Sequence, residues 1–220
     1  MSPELKKRII TSFFLIALLV LIFFYSFIMI CSIIIIATIV WIEFYALISK
    51  IILTETLKDK FLRFLFKLIS LLYLSVLVYF MFSIMSYHPE LKVYLLYSTI
   101  VTILSDIGGL VFGKIFKGKK LTKISPKKTI SGTIGSFVFS LSVVPLFYIT
   151  YHGYDLLLLI IITILTSLIA QLGDLFISYL KRKANVKDTS DLLPGHGGFL
   201  DRVDGLIFAL PFGVLLFTFI

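Results

Sequence analysis

Apolar residues run through this chain in long blocks separated by short basic stretches, at approximately 9–25, 27–49, 64–86, 92–115, 132–151, 155–180 and 203–220. A helix needs about 20 residues to cross the hydrocarbon of a bilayer, and its backbone must satisfy its own hydrogen bonds there. Each block therefore predicts a transmembrane helix, even where Ile and Phe dominate. The expected fold is all-α and polytopic, with seven spans. The first two are parted only by a tight turn near Tyr25 and Ser26, and one bent helix at 1–49 would give six.

The basic stretches decide between these counts, because Lys and Arg near helix ends stay cytoplasmic. With seven spans and a cytoplasmic N-terminus, all but Lys92 of the 21 Lys and Arg residues lie on the cytoplasmic side. A single span at 1–49 would set Lys6, Lys7 and Arg8 against the rest. The chain then reads as one membrane domain, with N-terminal helices at 1–90 and a catalytic core at 92–220. Its long polar loops, 116–131 and 181–202, face the cytoplasm, where nucleotides are found. The protein is expected in the cytoplasmic (inner) membrane, multi-pass, with its active site toward the cytoplasm.

Composition agrees: 59% of the residues are hydrophobic and 15% charged, against about 45–50% and about 25% in soluble domains. The net charge of +9 would suggest nucleic acid in a soluble protein, but here it marks topology and an anionic ligand, so no nucleic-acid partner is expected. Cys31 is the only cysteine, which excludes an intramolecular disulfide. The basic start followed by Ile9 to Phe24 has no small-residue cleavage site after it, so it reads as a retained first helix.

Ionisable residues inside spans point to function. Asp106 follows Ser105 and Thr102, whose hydroxyls fall on nearly the same helix face. Gln171, Asp174, Ser178 and Lys181 fall at i, i+3, i+7 and i+10, one polar stripe that must face protein or a water-filled cavity. For Gln171 and Ser178, hydrogen-bonding glue between helices is an equal reading. The densest chemistry lies at 188–204: Asp188, His196, Gly197, Gly198, Asp201, Arg202 and Asp204. Its glycines suit a loop wrapped around phosphate. Asp201 and Asp204 can aim at one spot and, with Asp174, supply the hard oxygens Mg²⁺ prefers. In the other loop, Ser125, Lys127, Lys128, Thr129 and Ser131 precede a helix N-terminus, where anions are favoured. Zinc is not expected, because His88 and His152 fall on the external side and His196 has no Cys or His nearby. Gly108 to Lys114 fits a P-loop until Ile115 replaces Ser or Thr, so Gly109 and Gly113 read instead as a small-residue packing face.

The run from Ser178 through Lys181, Arg182, Lys187, Asp188, Pro194, His196, Gly197, Gly198, Asp201 and Arg202 to Asp204 resembles the signature of the phosphatidate cytidylyltransferase family. Two further blocks agree with it, Ser105-Asp106 leading to Gly113-Lys114 and Ser125 to Thr129 leading to Gly132. The resemblance implies a membrane enzyme that moves CMP from CTP to phosphatidic acid and releases pyrophosphate. It also implies Mg²⁺, a second, monovalent cation and a homodimer. Asp174, Asp201, Asp204 and Asp106 are the expected metal ligands. Lys187, Asp188 and His196 complete the catalytic set. Lys127, Lys128, Lys181 and Arg182 would neutralise phosphates, and Ser125, Thr129, Gln171, Ser178, Gly197, Gly198 and Arg202 complete the substrate-binding set. Ser131 stands where the family usually has an acid and Leu110 where it has an aromatic residue, and one or two N-proximal helices are expected to be missing. The rival readings are a CTP-dependent lipid kinase, which would release CDP, and a transporter.

Overall fold

The computed structural model describes residues 13–14, 17, 20–21, 24–53, 56–122, 124–125, 127–151, 153–193 and 197–219. Among them every regular element is a helix: α1 (Ser26–Ile51), α2 (Leu57–Ser86), a 3₁₀ turn at Pro89–Leu91, α3 (Lys92–Ile115), α4 (Ile130–Leu141), α5 (Val144–Thr150), α6 (Leu156–Lys183), α7 (Leu200–Val203) and α8 (Leu206–Thr218). Five stretches are long and apolar enough to cross a membrane, at Phe27–Ile51, Leu57–Ser86, Pro89–Ile115, Ile130–Thr150 and Leu156–Lys183. This is the build of a membrane protein. The expected span at 9–25 falls largely outside the described residues.

Where the helix ends depart from the hydropathy blocks, local chemistry sets them. Helix α2 begins at Leu57 rather than near 64, because Thr56 and Asp59 form a capping box: the Thr56 side chain accepts from the Asp59 N–H, and the Asp59 carboxylate accepts from the Thr56 N–H. Lys58, Lys60 and Arg63 consequently ride on the helix instead of a loop. The fifth block is two helices. Pro145, at the start of α5, lacks the N–H that would bond Leu141, so α4 stops there. The last block yields α8, only 13 residues with Pro211 inside, about 20 Å of helix at 1.5 Å per residue.

The chain forms two compact units, one from the described residues of Met1–His88 with Leu180–Val203, the other from Pro89–Tyr179 with Asp204–Ile220. In the first, α1 packs on α2. The Trp41 indole N–H donates to the Lys67 carbonyl at 3.3 Å, and the Lys67 ammonium sits over the Tyr45 ring. Much of α2, including Phe61, Phe64, Ile69 and Val76, is exposed and apolar, a surface suited to lipid.

In the second unit α3 packs on α4 and α8. Tyr97, Val101, Phe147, Leu159, Ile162 and Phe217 form its apolar core, and the buried Tyr97 hydroxyl pairs with Thr163 Oγ1 at 2.5 Å. Helices α3 and α4 meet glycine to glycine. A Cβ on Gly135 would run into the Phe112 side chain and stand 2.7 Å from the Gly108 carbonyl, while Gly109 and Gly113 face Gly132, Ser136 and Thr129. The small-residue face read from the sequence is therefore real, with Gly108 and Gly135 at its tightest point. Gly135→Ala overpacks this seam. It is expected to cost about 2–3 kcal/mol and to lower the melting temperature in detergent by roughly 5–10 °C, whereas Ala at the wild-type midpoint would show that the helices can part freely.

Candidate active site

In the second unit the polar stripe of α6 forms a connected chain. Ser105 Oγ on α3 meets Ser167 Oγ at 2.8 Å, and Gln171 Nε2 donates to Ser167 Oγ at 3.3 Å. One turn on, Asp174 Oδ2 takes the Lys128 ammonium at 2.6 Å, and Asp174 Oδ1 accepts from Ser178 Oγ at 3.3 Å. Lys128 also reaches the Gln171 carbonyl at 3.5 Å. Asp106 lies within electrostatic reach of both Asp174 and Lys128. The Thr102 hydroxyl turns away, donating to the Ser98 carbonyl at 2.8 Å. Of the two hydroxyls near Asp106, Ser105 thus ties α3 to α6 and Thr102 bonds within its own helix.

The loop before α4 delivers Lys128. Lys120 and Thr129 form an antiparallel bridge, the Leu121 N–H donates to the Lys128 carbonyl at 2.8 Å, and the Lys128 N–H closes a turn on the Ser125 carbonyl at 3.0 Å. Thr129 caps α4 by accepting from the Gly132 N–H. Ser131 Oγ donates to the Lys117 carbonyl at 2.7 Å. Lys117 and Gly118 both have positive φ, 50° and 96°, so Ser131 pins a tight turn. Lys127 is exposed. Gly173 lets the start of the last segment approach Asp174: a Cβ there would stand 2.7 Å from the Asp204 carbonyl and 2.6 Å from the Phe208 ring. Asp204 Oδ1 accepts from the Gly205 N–H at 2.9 Å.

The first unit holds the rest of the signature. Leu193 and Gly197 exchange N–H to carbonyl bonds, closing the loop at a residue whose φ of +84° calls for glycine. His196 and its neighbours Pro194 and Gly195 lie outside the described residues. Asp201, whose side chain is only 5% exposed, has both oxygens engaged. Oδ1 takes the Lys181 ammonium at 2.5 Å, while Oδ2 accepts from the Thr189 N–H at 2.8 Å and the Gly198 N–H at 3.1 Å. Burial alone would raise this carboxyl, but the Lys181 bond and the two backbone donors outweigh it and hold the group below its usual value. The stabilisation from this ion pair is accordingly full above about pH 4 and is lost only as pH falls through the depressed value. Arg182, Lys187, Asp188 and Arg202 are exposed, with Arg182 donating to the Val186 carbonyl.

A family model described as the cytidylyltransferase family matches residues 4–220. The chain belongs to the cytidylyltransferase family. Relatives include proteins named phosphatidate cytidylyltransferase from Staphylococcus haemolyticus, 46% identical over 54% of this chain and 46% of the relative, and from Staphylococcus saprophyticus, 39% identical over 74% and 64%. A third, from Rickettsia typhi, is 44% identical over 51% of this chain and 54% of its own length. The chain thus spans about half to just under two thirds of the length of these curated relatives.

In this member of the cytidylyltransferase family the expected residues fall into two groups. Asp106, Lys128, Gln171, Asp174, Ser178 and Asp204 belong to one unit, and Lys181, Gly197, Gly198 and Asp201 to the other. Asp174 and Asp201, expected from the sequence to share one cation, belong to different units. Glu43 escapes the sequence reading altogether. It is buried on α1, 4% exposed, and its carboxylate accepts from Thr189 Oγ1 at 2.8 Å, Ser190 Oγ at 2.6 Å, the Phe199 N–H at 3.0 Å and the Leu200 N–H at 2.7 Å. The signal was there: a carboxylate inside the apolar block 27–49 is as costly as Asp106 or Asp174.

Proposed function

We propose that the protein transfers CMP from CTP to phosphatidic acid, giving CDP-diacylglycerol and pyrophosphate. The observation that carries this reading is that two of the expected metal ligands are each paired with a lysine within their own unit, Asp174 with Lys128 and Asp201 with Lys181. A site for a metal-bound triphosphate needs both signs of charge in one place, and without substrate each sign neutralises the other. With a triphosphate and its cation bound, the carboxylates would hold the cation and the lysines the phosphate oxygens, so neither charge of the largely buried Lys181–Asp201 pair would be left alone.

The acidic side chains fit Mg²⁺. They offer hard oxygens, which suit an ion held by one or two carboxylates together with substrate oxygens. Asp174 and Asp201 would hold it, with Asp204 and Asp106 as nearby ligands or orienters, and a second, monovalent cation completes the set. Bound there, Mg²⁺ neutralises the charge of the transferring phosphate.

The phosphate oxygen of phosphatidic acid attacks the α-phosphorus of CTP in line, forming one P–O bond as the bond to pyrophosphate breaks. Lys128, Lys181, Lys127, Arg182, Lys187 and Arg202 neutralise the phosphates, and Ser125, Thr129 and Gly197 line their loops. Asp188 and His196 complete the catalytic set. No protein nucleophile is required; the side chains orient the reactants and stabilise developing charge. The lipid's acyl chains stay in hydrocarbon while CTP comes from water, which sets the site at the cytoplasmic headgroup level of the inner membrane. Seven spans, a cytoplasmic N-terminus, a single membrane domain and a homodimer complete the proposal.

Purified protein incubated with CTP, phosphatidic acid and Mg²⁺ is expected to yield CDP-diacylglycerol and pyrophosphate in equal amounts. Release of CDP with a phosphorylated lipid would instead establish a kinase, and solute flux in proteoliposomes without nucleotide turnover a transporter.

A further inference from the structure

We propose that Glu43 is a positioning residue for the reaction, fixing the loop that carries Asp201 from a helix remote in sequence. The inference rests on the transferase reading above.

Four donors converge on one buried carboxylate, and all four belong to the signature segment: two hydroxyls, Thr189 and Ser190, from its first half and two backbone amides, Phe199 and Leu200, from its second. Glu43 therefore clasps the two ends of the loop together. The amides are those entering the short helix α7, which carries Asp201, and such first-turn N–H groups lack partners within their own helix. Water is excluded, since Glu43 is 4% and Thr189 6% exposed. The bonds that hold the Glu43 carboxylate come from hydroxyls and backbone amides of the loop itself, which makes its position depend on loop geometry and the reverse.

The link to Asp201 is direct. Thr189 Oγ1 lies 2.8 Å from Glu43 Oε2 and 3.0 Å from Asp201 Oδ2. A hydroxyl has one proton to donate, so the two carboxylates share it. While Glu43 holds that proton, Asp201 Oδ2 relies on the Thr189 and Gly198 amides, and its other oxygen remains with Lys181. Glu43 thereby fixes both the place of the Asp201 carboxylate and the donors left to it. Gly198 shows how tight the clasp is, since a Cβ there would stand 2.7 Å from Glu43 Oε2.

Glu43→Gln is the test, because the amide keeps the shape but, whichever way it turns, presents N–H to a backbone N–H, that of Phe199 or of Leu200, which can only donate. In purified, correctly inserted protein, kcat for CMP transfer is expected to fall about 100-fold, the loss a displacement of roughly 1 Å can bring, with KM for CTP changed less than about threefold. Hydrogen exchange is expected to accelerate at residues 189–203 and to stay unchanged in α3 and α4. Thr189→Val cuts the same link from the loop side. It should lower kcat, and the double variant should lose less than the product of the single losses. If Glu43→Gln does not insert, the kcat and exchange of Thr189→Val decide. Wild-type kcat in either variant, a loss confined to KM, or unchanged exchange at 189–203 would overturn the inference. A wild-type protein that makes no CDP-diacylglycerol would instead overturn the transferase reading, leaving the exchange experiment to judge the clasp.

Discussion

Asp201→Asn is expected to reduce CMP transfer by about 10³-fold or more, the scale of losing a charged ligand at the reacting phosphate, while the protein still inserts and purifies. The substitution keeps shape and removes a charge, and its surroundings leave the amide no good orientation. Turned one way, its NH₂ faces the Lys181 ammonium; turned the other, it faces the Thr189 and Gly198 N–H groups. Lys181, whose side chain is 11% exposed, would also lose its counter-charge in a largely buried place. Activity and structure can be separated by the melting temperature in detergent and by the rate per folded protein. Near-wild-type turnover from Asp201→Asn would remove Asp201 from the phosphate-transfer site and, with it, the idea that the Lys181 pair is held in reserve for substrate.

What the sequence made legible follows from which forces are local. Hydropathy located the middles of the long helices because burial in lipid depends on composition over about 20 residues. Their ends depend on single contacts: the Thr56–Asp59 capping box, visible in retrospect as a Thr followed three residues later by an acid, extends α2, and Pro145 divides α4 from α5. The polar stripe on α6 was legible from its spacing, and Gln171, Asp174 and Ser178 do form one connected series. What the stripe touches was not, since the Lys128 partner comes from another loop and the Ser105 partner from another helix. Glu43 is the extreme case. Its partners lie 146 to 157 residues away, and no periodicity within α1 encodes them. The glycine face of α3 was read correctly as a packing surface, but its counterpart on α4, Gly132 and Gly135, had to be seen.

Gly198→Ala is expected to remove most activity, at least about 100-fold, by misplacing the loop that carries Asp201 rather than by altering any charged group. The position looks permissive because no unusual backbone angle demands glycine there. The constraint is space. A Cβ would fall on Thr189 Oγ1 and stand 2.7 and 2.9 Å from the two oxygens of Glu43, so a single methyl wedges open the contact through which Glu43, Thr189 and Asp201 are joined. Relief requires either the Thr189 hydroxyl to leave both carboxylates or the Gly198 N–H to withdraw from Asp201 Oδ2. Both move the Asp201 carboxylate, on which the proposed transfer would depend. Gly153 provides the control: its φ is +116° and nothing lies within 4 Å of the site a Cβ would take. Gly153→Ala therefore carries backbone strain of about 1–2 kcal/mol with no collision, and CMP transfer per folded protein should be unchanged. Initial rates of CDP-diacylglycerol formation for the two variants, each normalised to folded protein, test the contrast. Equal rates would mean that the loop accommodates a methyl at Gly198 without disturbing Asp201, and the tight packing around Thr189 would then have no part in catalysis.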